Sequence, residues 1–351
     1  MRCEMRILGI DPGTMSFDLC LMDENEITFE DSIPSTLVAE KPEEFAEKCL
    51  DLNLDVMIAP SGMGLNNRKL EELTEKEMYE ILITREGEEV PVLLGIKKFL
   101  SIVREAGLEV FFLPGIIQLP TVPKWRKYNK IDMGTADKMC IGAISVETVS
   151  RKKETGYSGV NHLVVELGGG YNSLITIDGG KIINGIGGTT FPGPGFMNAG
   201  AMDGEVAYLL NGFEKALLFE GGVGYLVDDG SLKIENFTRE AYPDAFDTFV
   251  EGVLFAVCSQ KAITPTNEVY LSGRLTRYDN IFLPLKSCLE NLGYTVEPLP
   301  RLSSRTKEAA QGYAIVGNGV YGGIYEPLVK HMEIDKSSGS ILDYVYWKER
   351  L

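Results

Sequence analysis

Residues Leu163–Ile182 read LVVELGGGYNSLITIDGGKI, and this stretch decides the fold. Val164, Val165 and Leu167 form an apolar run that stops at Gly168-Gly169-Gly170. Leu174, Ile175 and Ile177 form the return run, and Asp178-Gly179-Gly180 closes it. The pattern predicts a strand, a glycine turn, a second strand and a tight hairpin into a third, because glycines accept the positive φ such hairpins need. A turn of three glycines carries no side chains and exposes several N–H groups, so it can wrap a phosphate closely.

The same pattern stands earlier, at Ile7–Ile27, ILGIDPGTMSFDLCLMDENEI. The two align without a gap at an offset of 155 residues, 166 − 11. Asp11 then matches Glu166, Gly13 matches Gly168, Leu19 matches Leu174, Met22 matches Ile177 and Asp23 matches Asp178. Each copy is an acid at a strand end, a glycine turn, and a hairpin closed by Asp. An acid-headed glycine hairpin written twice predicts two related lobes facing each other across a nucleotide cleft.

Composition fits that expectation. A chain of 351 residues suggests two domains with sizeable cores, and its 44% hydrophobic and 24% charged content is ordinary for a globular protein. A net charge of −17 disfavours a broad nucleic-acid surface. The six cysteines, at 3, 20, 49, 140, 258 and 288, form no CxxC pair and read as buried thiols of a reducing compartment. No run is long enough to span a membrane and the N-terminus lacks a signal-like apolar core, so a cytoplasmic location is expected.

Along the chain, residues 5–33 predict a three-strand meander. A helix from Pro42, a short strand over Val56–Ala59, and the loop Pro60–Gly64 at its carboxyl end follow; such loops commonly carry ligand contacts. Lys69–Thr84 reads as a charged helical surface insertion. Pro114–Tyr128 holds Lys124, Arg126 and Lys127, which suit either an anionic substrate or a solvated crossover loop. Asp132–Val149 predicts a helix with small residues Ala136, Gly142, Ala143 and Ser145 on one stripe, fit for a domain interface. Asp132 reads as its cap, whereas Asp137 lies inside the helix and needs another explanation. Asn184–Met202 predicts an ordered Gly/Pro loop, followed by Asp203, a helix cap in its plainest reading. Gly221-Gly222 marks a third glycine turn, counted among the candidate nucleotide contacts. Val269–Leu271 predicts a strand ending in Ser272-Gly273-Arg274, where a base or ribose can lie against backbone. Thr306–Val329 predicts a second small-residue helix, and the tail from Met332 to Leu351 a segment docked on a surface, a second subunit of a homodimer being one candidate. His162 and His331 are too isolated for a triad or a metal site and read as structural.

This order of elements resembles the actin, sugar-kinase and Hsp70 superfamily over nearly the whole chain. The resemblance implies an α/β protein of two ribonuclease-H-like, actin-like ATPase domains with a nucleotide cleft between them. The expected first domain covers 1–150 and the second 160–330, with the helix at about 305–330 packing back at the interface and 332–351 as a tail. Asp11, Gly13, Thr14, Glu166, Gly168, Gly169, Gly170 and Gly273, with Arg274 beside it, fall on nucleotide motif positions. Residues 166–205 look most like acetate and butyrate kinases, and the chain also resembles an uncharacterised archaeal family described as predicted butyrate kinases. Gly134–Lys138 resembles the Gly-Ala-Asp-Arg of type III pantothenate kinases, which implies an acceptor near Asp137.

The function implied is ATP-dependent phosphoryl transfer to a small, carboxylate-bearing metabolite, with no nucleic-acid or membrane partner. Asp11 and Glu166 are expected to hold Mg²⁺, and the N–H groups of Gly13, Thr14, Gly168 and Gly169 to meet phosphate. Asp137 or Glu166 would serve as base for a hydroxyl acceptor. Arg126, Lys138 or Arg274 would neutralise a carboxylate, and Thr189, Thr190 and Asp203 fall on the acceptor side. The substrate arginines and the transition-state histidine of acetate kinases lack clear counterparts, which leaves a nucleotide-switched ATPase as the alternative. A third class, the ATPase activator of a radical dehydratase, would need cysteines that bridge a dimer cluster, and these are scattered.

Overall fold

A computed structural model describes residues 5–85, 87, 88 and 90–350. Two mixed sheets repeat one plan. In the first, β1 (Arg6–Pro12), β2 (Ser16–Asp23) and β3 (Glu26–Pro34) form the antiparallel meander, and β4 (Val56–Ile58) and β6 (Glu109–Phe112) extend it in parallel, with β5 (Arg68–Lys69) at the edge. The strand order is β3-β2-β1-β4-β6-β5. In the second, β7 (His162–Leu167), β8 (Asn172–Asp178) and β9 (Lys181–Ile186) form the meander, and β10 (Glu268–Ser272) and β11 (Thr295–Pro298) the parallel extension, in the order β11-β10-β7-β8-β9. This is the two-lobed, actin-like α/β fold expected from the repeated hairpin.

The repeat extends to detail. A break in register falls between Leu21 and Met22 in one lobe and between Thr176 and Ile177 in the other, again 155 residues apart (176 − 21). Side-chain alternation follows the same count. Leu8 and Leu163, Ile10 and Val165, and Leu19 and Leu174 point to the outer faces of their sheets. Cys20 and Ile175, and Met22 and Ile177, point to a shared central layer. Alternation is what a strand with period two imposes when both faces are covered. The closing turn of the second meander has Gly179 at φ +57° and Gly180 at φ +68°, the conformation that selected glycine there.

Helices cover the outer faces: α1 (Pro42–Leu50), α2 (Glu75–Leu82) and α3 (Pro91–Glu105) on the first sheet, α5 (Pro243–Ser259) and α6 (Asp279–Asn291) on the second. Between the sheets lie α4 (Ala136–Lys152), α7 (Glu308–Val320) and α8 (Glu326–His331). The two long central helices cross over. The first, α4, leaves the N-terminal half and packs on β7, β8 and β9, whereas α7 comes from the C-terminal half and packs on β1 and β2. Small residues allow the approach. A Cβ on Gly9 of β1 would lie 2.5 Å from the Ala314 nitrogen, and one on Gly312 would overlap the Cys140 carbonyl.

Several expectations are corrected. The interface helix begins at Ala136 rather than Asp132, with Thr135 at its N-cap. The predicted helix over Thr306–Val329 is broken, because Gly322 at φ +81° ends α7 and α8 starts afresh at Glu326. The insertion over Lys69–Thr84 is not merely a surface feature: Ile81 and Leu82 are buried. The tail docks on its own chain. Ile334 and Ile341 are buried in the central core, Asn67 donates to the Ile334 carbonyl at 2.8 Å, and the Asn129 N–H donates to the Tyr344 carbonyl at 2.9 Å. Cys20, Cys49 and Cys140 are buried as expected, Cys258 is exposed and Cys288 half-buried; Cys3 lies outside the described residues. Both histidines are structural: His162 pairs with the Ser145 hydroxyl at 2.9 Å and His331 with the Gly179 carbonyl at 2.8 Å. Among the described residues, no helix is long and apolar enough to cross a membrane.

Candidate active site

The two acid-headed turns meet. A Cβ on Gly170 would lie 2.7 Å from the Thr14 hydroxyl, and one on Gly169 would lie 2.5 Å from the Met15 sulfur. None of Gly168, Gly169 and Gly170 has a positive φ, so these glycines serve close approach and not a left-handed backbone. The N–H groups divide unequally. Gly13 donates to the Asp11 carbonyl at 3.0 Å and Gly168 to the Tyr171 carbonyl at 2.9 Å, so both are committed within their own turns. Thr14, Gly169 and Gly170 have no acceptor for their N–H groups among the described residues. Of the four expected donors, Thr14 and Gly169 remain free, Gly13 and Gly168 are committed, and Gly170 joins the free set.

Each acid has a lysine, and each lysine stands at the start of a central helix. The Lys307 ammonium, just ahead of α7, lies 2.6 Å from Asp11 and 3.7 Å from Asp18. Asp18 faces Asp11 across the β1–β2 ladder and also accepts from the Lys307 N–H at 2.9 Å and the Ser16 hydroxyl at 2.8 Å. Near the start of α4, the Lys138 ammonium lies 2.6 Å from Asp137 and 2.9 Å from Glu166. The Thr135 hydroxyl also donates to Asp137. From the second lobe, the Arg274 guanidinium reaches across to the Ser16 hydroxyl at 2.9 Å. Gly273 has φ +94°, which lets the chain turn sharply from β10 beside Glu166.

Burial sets the electrostatics. Asp11 and Glu166 are only 3% and 5% exposed, and desolvation raises both carboxyls above the ordinary carboxylate range although Lys307 and Lys138 pull the other way. Burial also pushes Asp137 up, but the Lys138 charge and hydrogen bond, the Thr135 hydroxyl and Lys307 together hold it below its usual value. Burial would lower the two lysines, yet the surrounding carboxylates raise both. Clustered buried titratable groups of opposed tendency at a cleft make this the candidate site.

These groups line a cavity of about 710 Å³. It brings together Asp11, Gly13, Thr14, Asp137, Lys138, Glu166, Gly168, Gly169, Gly170, Thr189, Gly273 and Arg274. It does not include Arg126, Thr190, Asp203, Gly221 or Gly222. Arg126 donates to the Ile183 carbonyl at 2.6 Å, and the Thr190 hydroxyl to the Asp132 carbonyl at 3.1 Å. Asp203 is an exposed cap that accepts from the Glu205 N–H at 2.7 Å. Gly222 donates to the Met197 carbonyl at 2.7 Å, and a Cβ on Gly221 would press on Ala199. Asp132 is no helix cap: its carboxylate accepts from the Gly134 N–H at 3.0 Å and from the Thr189 N–H and hydroxyl at 3.0 and 2.9 Å, and so ties the second-lobe loop to the first lobe.

Sequence reasoning missed Lys307 and Asp18. A lone lysine before a helix carries no motif, and only the crossing of α7 brings it to Asp11. Asp18 was legible in principle, since the pairing of an acid-headed hairpin sets residue 18 opposite residue 11. Among the described residues no cluster of three or more His, Cys, Asp or Glu side chains is arranged to hold a metal without help from a ligand.

Solved structures share this fold at low identity. The acetate kinase from Entamoeba histolytica is 12% identical with a TM-score of 0.60, over 82% of this chain and 87% of that one. The propionate kinase from Francisella tularensis subsp. tularensis is 14% identical with a TM-score of 0.60, over 82% and 88%. The acetate kinase of Porphyromonas gingivalis is 13% identical with a TM-score of 0.50, over 77% and 83%. No curated protein matches by sequence. A family model described as "Protein of unknown function (DUF1464)" matches residues 9–347, nearly the full length, and the chain belongs to that family.

Proposed function

We propose that the protein is an ATP-dependent phosphotransferase of the acetate- and butyrate-kinase kind, acting on a small acceptor. One observation carries the reading: two acid-headed glycine turns, with free N–H groups at Thr14, Gly169 and Gly170, meet in one cavity. Free backbone donors at a glycine turn suit phosphate oxygens. The donor set suits Mg²⁺, a hard cation that takes one or two carboxylates, phosphate oxygens and water, not an all-protein cage. Asp11 and Glu166 would hold it, and bound Mg²⁺ would offset charge on the phosphates.

The chain's own residues do the rest. Lys307 and Lys138, which pair with those same carboxylates, stand ready to turn to phosphate oxygens once the carboxylates take a metal. Arg274 bridges the lobes at the same point and adds a further cation. Asp137, held ionised by Lys138, orients that ammonium, and with Glu166 on the metal it is the carboxylate left to accept the proton of a hydroxyl substrate. A second cavity, lined by Thr276, Arg277, Leu299 and Arg301 beside Gly273, is where the nucleotide base would lie. Positioning and electrostatics dominate such chemistry, so the closed contact between the turns also serves to exclude water.

The test is ADP release from Mg-ATP with a panel of carboxylates and alcohols. Asp11→Ala should remove turnover about 10³-fold while the circular dichroism spectrum stays unchanged. Full retained activity refutes the assignment. A second reading, a nucleotide-switched ATPase that moves a partner, is favoured by the exposed apolar residues Val206, Tyr208, Leu209 and Leu210 on the second lobe. ADP release at the same rate with every acceptor and with none would support it.

A further inference from the structure

The polar turns are not the whole of the cavity. Its lining also includes Ile81, Leu93, Ile141, Phe213, Leu218 and Phe219, drawn from both lobes. Beside these apolar residues the lobes clasp one another. Arg85 of the first lobe donates to the Gly212 and Phe213 carbonyls, and Lys215 of the second donates to the Leu82 and Ile83 carbonyls. Burial pushes the Lys215 ammonium down to about 8. Ser61 lines the same cavity, at the end of β4, and its hydroxyl is buried without a partner among the described residues. A buried polar atom with no protein partner needs one from outside the chain, a water or a ligand group.

We infer that the acceptor carries an extended apolar body, of medium-chain or aromatic size, with its head group near Ser61 and the acid turns. This rests on the phosphotransfer reading of the cleft and names the class of its acceptor. An acetate- or propionate-sized molecule has too little surface to cover six large apolar side chains. A wall of this extent is covered by a ligand with apolar surface of its own, since ligand cavities place a few polar groups against a mainly apolar lining.

The experiment measures ADP release from Mg-ATP with saturated carboxylates from acetate to decanoate and with the matching primary alcohols. In one of the two series kcat/KM should rise about fourfold for each methylene buried, until the chamber is full. The variants Leu93→Trp and Leu218→Trp, on opposite walls, should each move the optimum to shorter chains. Calorimetric titration with Mg-ATP, and with decanoate and acetate in the absence of nucleotide, separates the two claims. A protein that binds Mg-ATP yet gives a flat or falling series for both head groups overturns the apolar acceptor and leaves the nucleotide site standing. If Mg-ATP does not bind, the phosphotransfer reading fails and the titration decides the chamber alone: tighter binding of decanoate than acetate upholds it, and equal binding overturns it.

Discussion

The two lobes solve one problem with different side chains. In the first, the strand-end acid is Asp11, the residue opposite is Asp18, and the lysine is Lys307. In the second, the acid is Glu166, the residue opposite is Ser173, and the lysine is Lys138, which also serves Asp137. Each lysine thus pairs with two carboxylates. The second acid comes from the neighbouring strand in one lobe and from the helix itself in the other. What is kept is one ammonium shared by two carboxylates at each turn; what differs is how far each carboxylate reaches and what stands behind it. Asp11 is short and fixed, whereas Glu166 is longer and has Asp137 close by through the shared ammonium.

That difference predicts unequal roles. Asp11→Asn is expected to lower kcat/KM for ADP release about 10³-fold and Glu166→Gln about 10²-fold, since Asp137 can take over part of the second role. Steady-state kinetics with Mg-ATP checks it, and a reversed order would break the comparison.

Next in size is stability. Lys307→Met and Lys138→Met each leave buried carboxylates without a cation and should cost about 3 kcal/mol at pH 7. The folded-state pKa of Asp11 and of Glu166 is already raised above the unfolded value, and losing the lysine raises it further. Such a group destabilises the fold above its folded pKa, and the penalty shrinks as pH falls through that value. Urea midpoints should therefore lie closer to the wild type at pH 4 than at pH 7, and the pH at which the gap closes ranks how dry each turn is.

The smallest expected effect lies in the core. At the offset of 155 residues, His162 takes the place of Ile7, and both are buried. Burial pushes the imidazole down to about 3, so the unfolded chain binds a proton that the folded one refuses between pH 6.5 and 3. Stability should fall by about 2 kcal/mol from pH 7 to pH 5 on this account alone. His162→Ile, which makes the second lobe like the first, should flatten that slope in chemical unfolding measured across the range.

Local patterns carried most of the fold. The hairpins, the parallel strands and α1 were legible because alternation and helical spacing act over a few residues, and the repeat at 155 residues supplied the lobes. The candidate site was legible where it sits on that repeat: Asp11, Glu166, the glycine turns and the Gly273 corner. It was not legible where tertiary placement decides. Lys307 lies 296 residues from its partner Asp11, and nothing local marks it. Asp132 looked like a cap because acids before helices commonly are, yet a threonine hydroxyl from the second lobe claims its carboxylate. Thr190 and Asp203 followed from likeness to another loop, and here their polar atoms meet neighbouring backbone instead.

The crossing of α4 and α7 bears on how the chain is born. The first sheet is roofed on its inner face by a helix made only after the whole of the second sheet. Until that helix is made, that face, with Ile7, Cys20 and Met22, lacks its cover. Splitting the gene between the halves would strand each sheet without its lid, so the two copies, alike as they are, can no longer live apart.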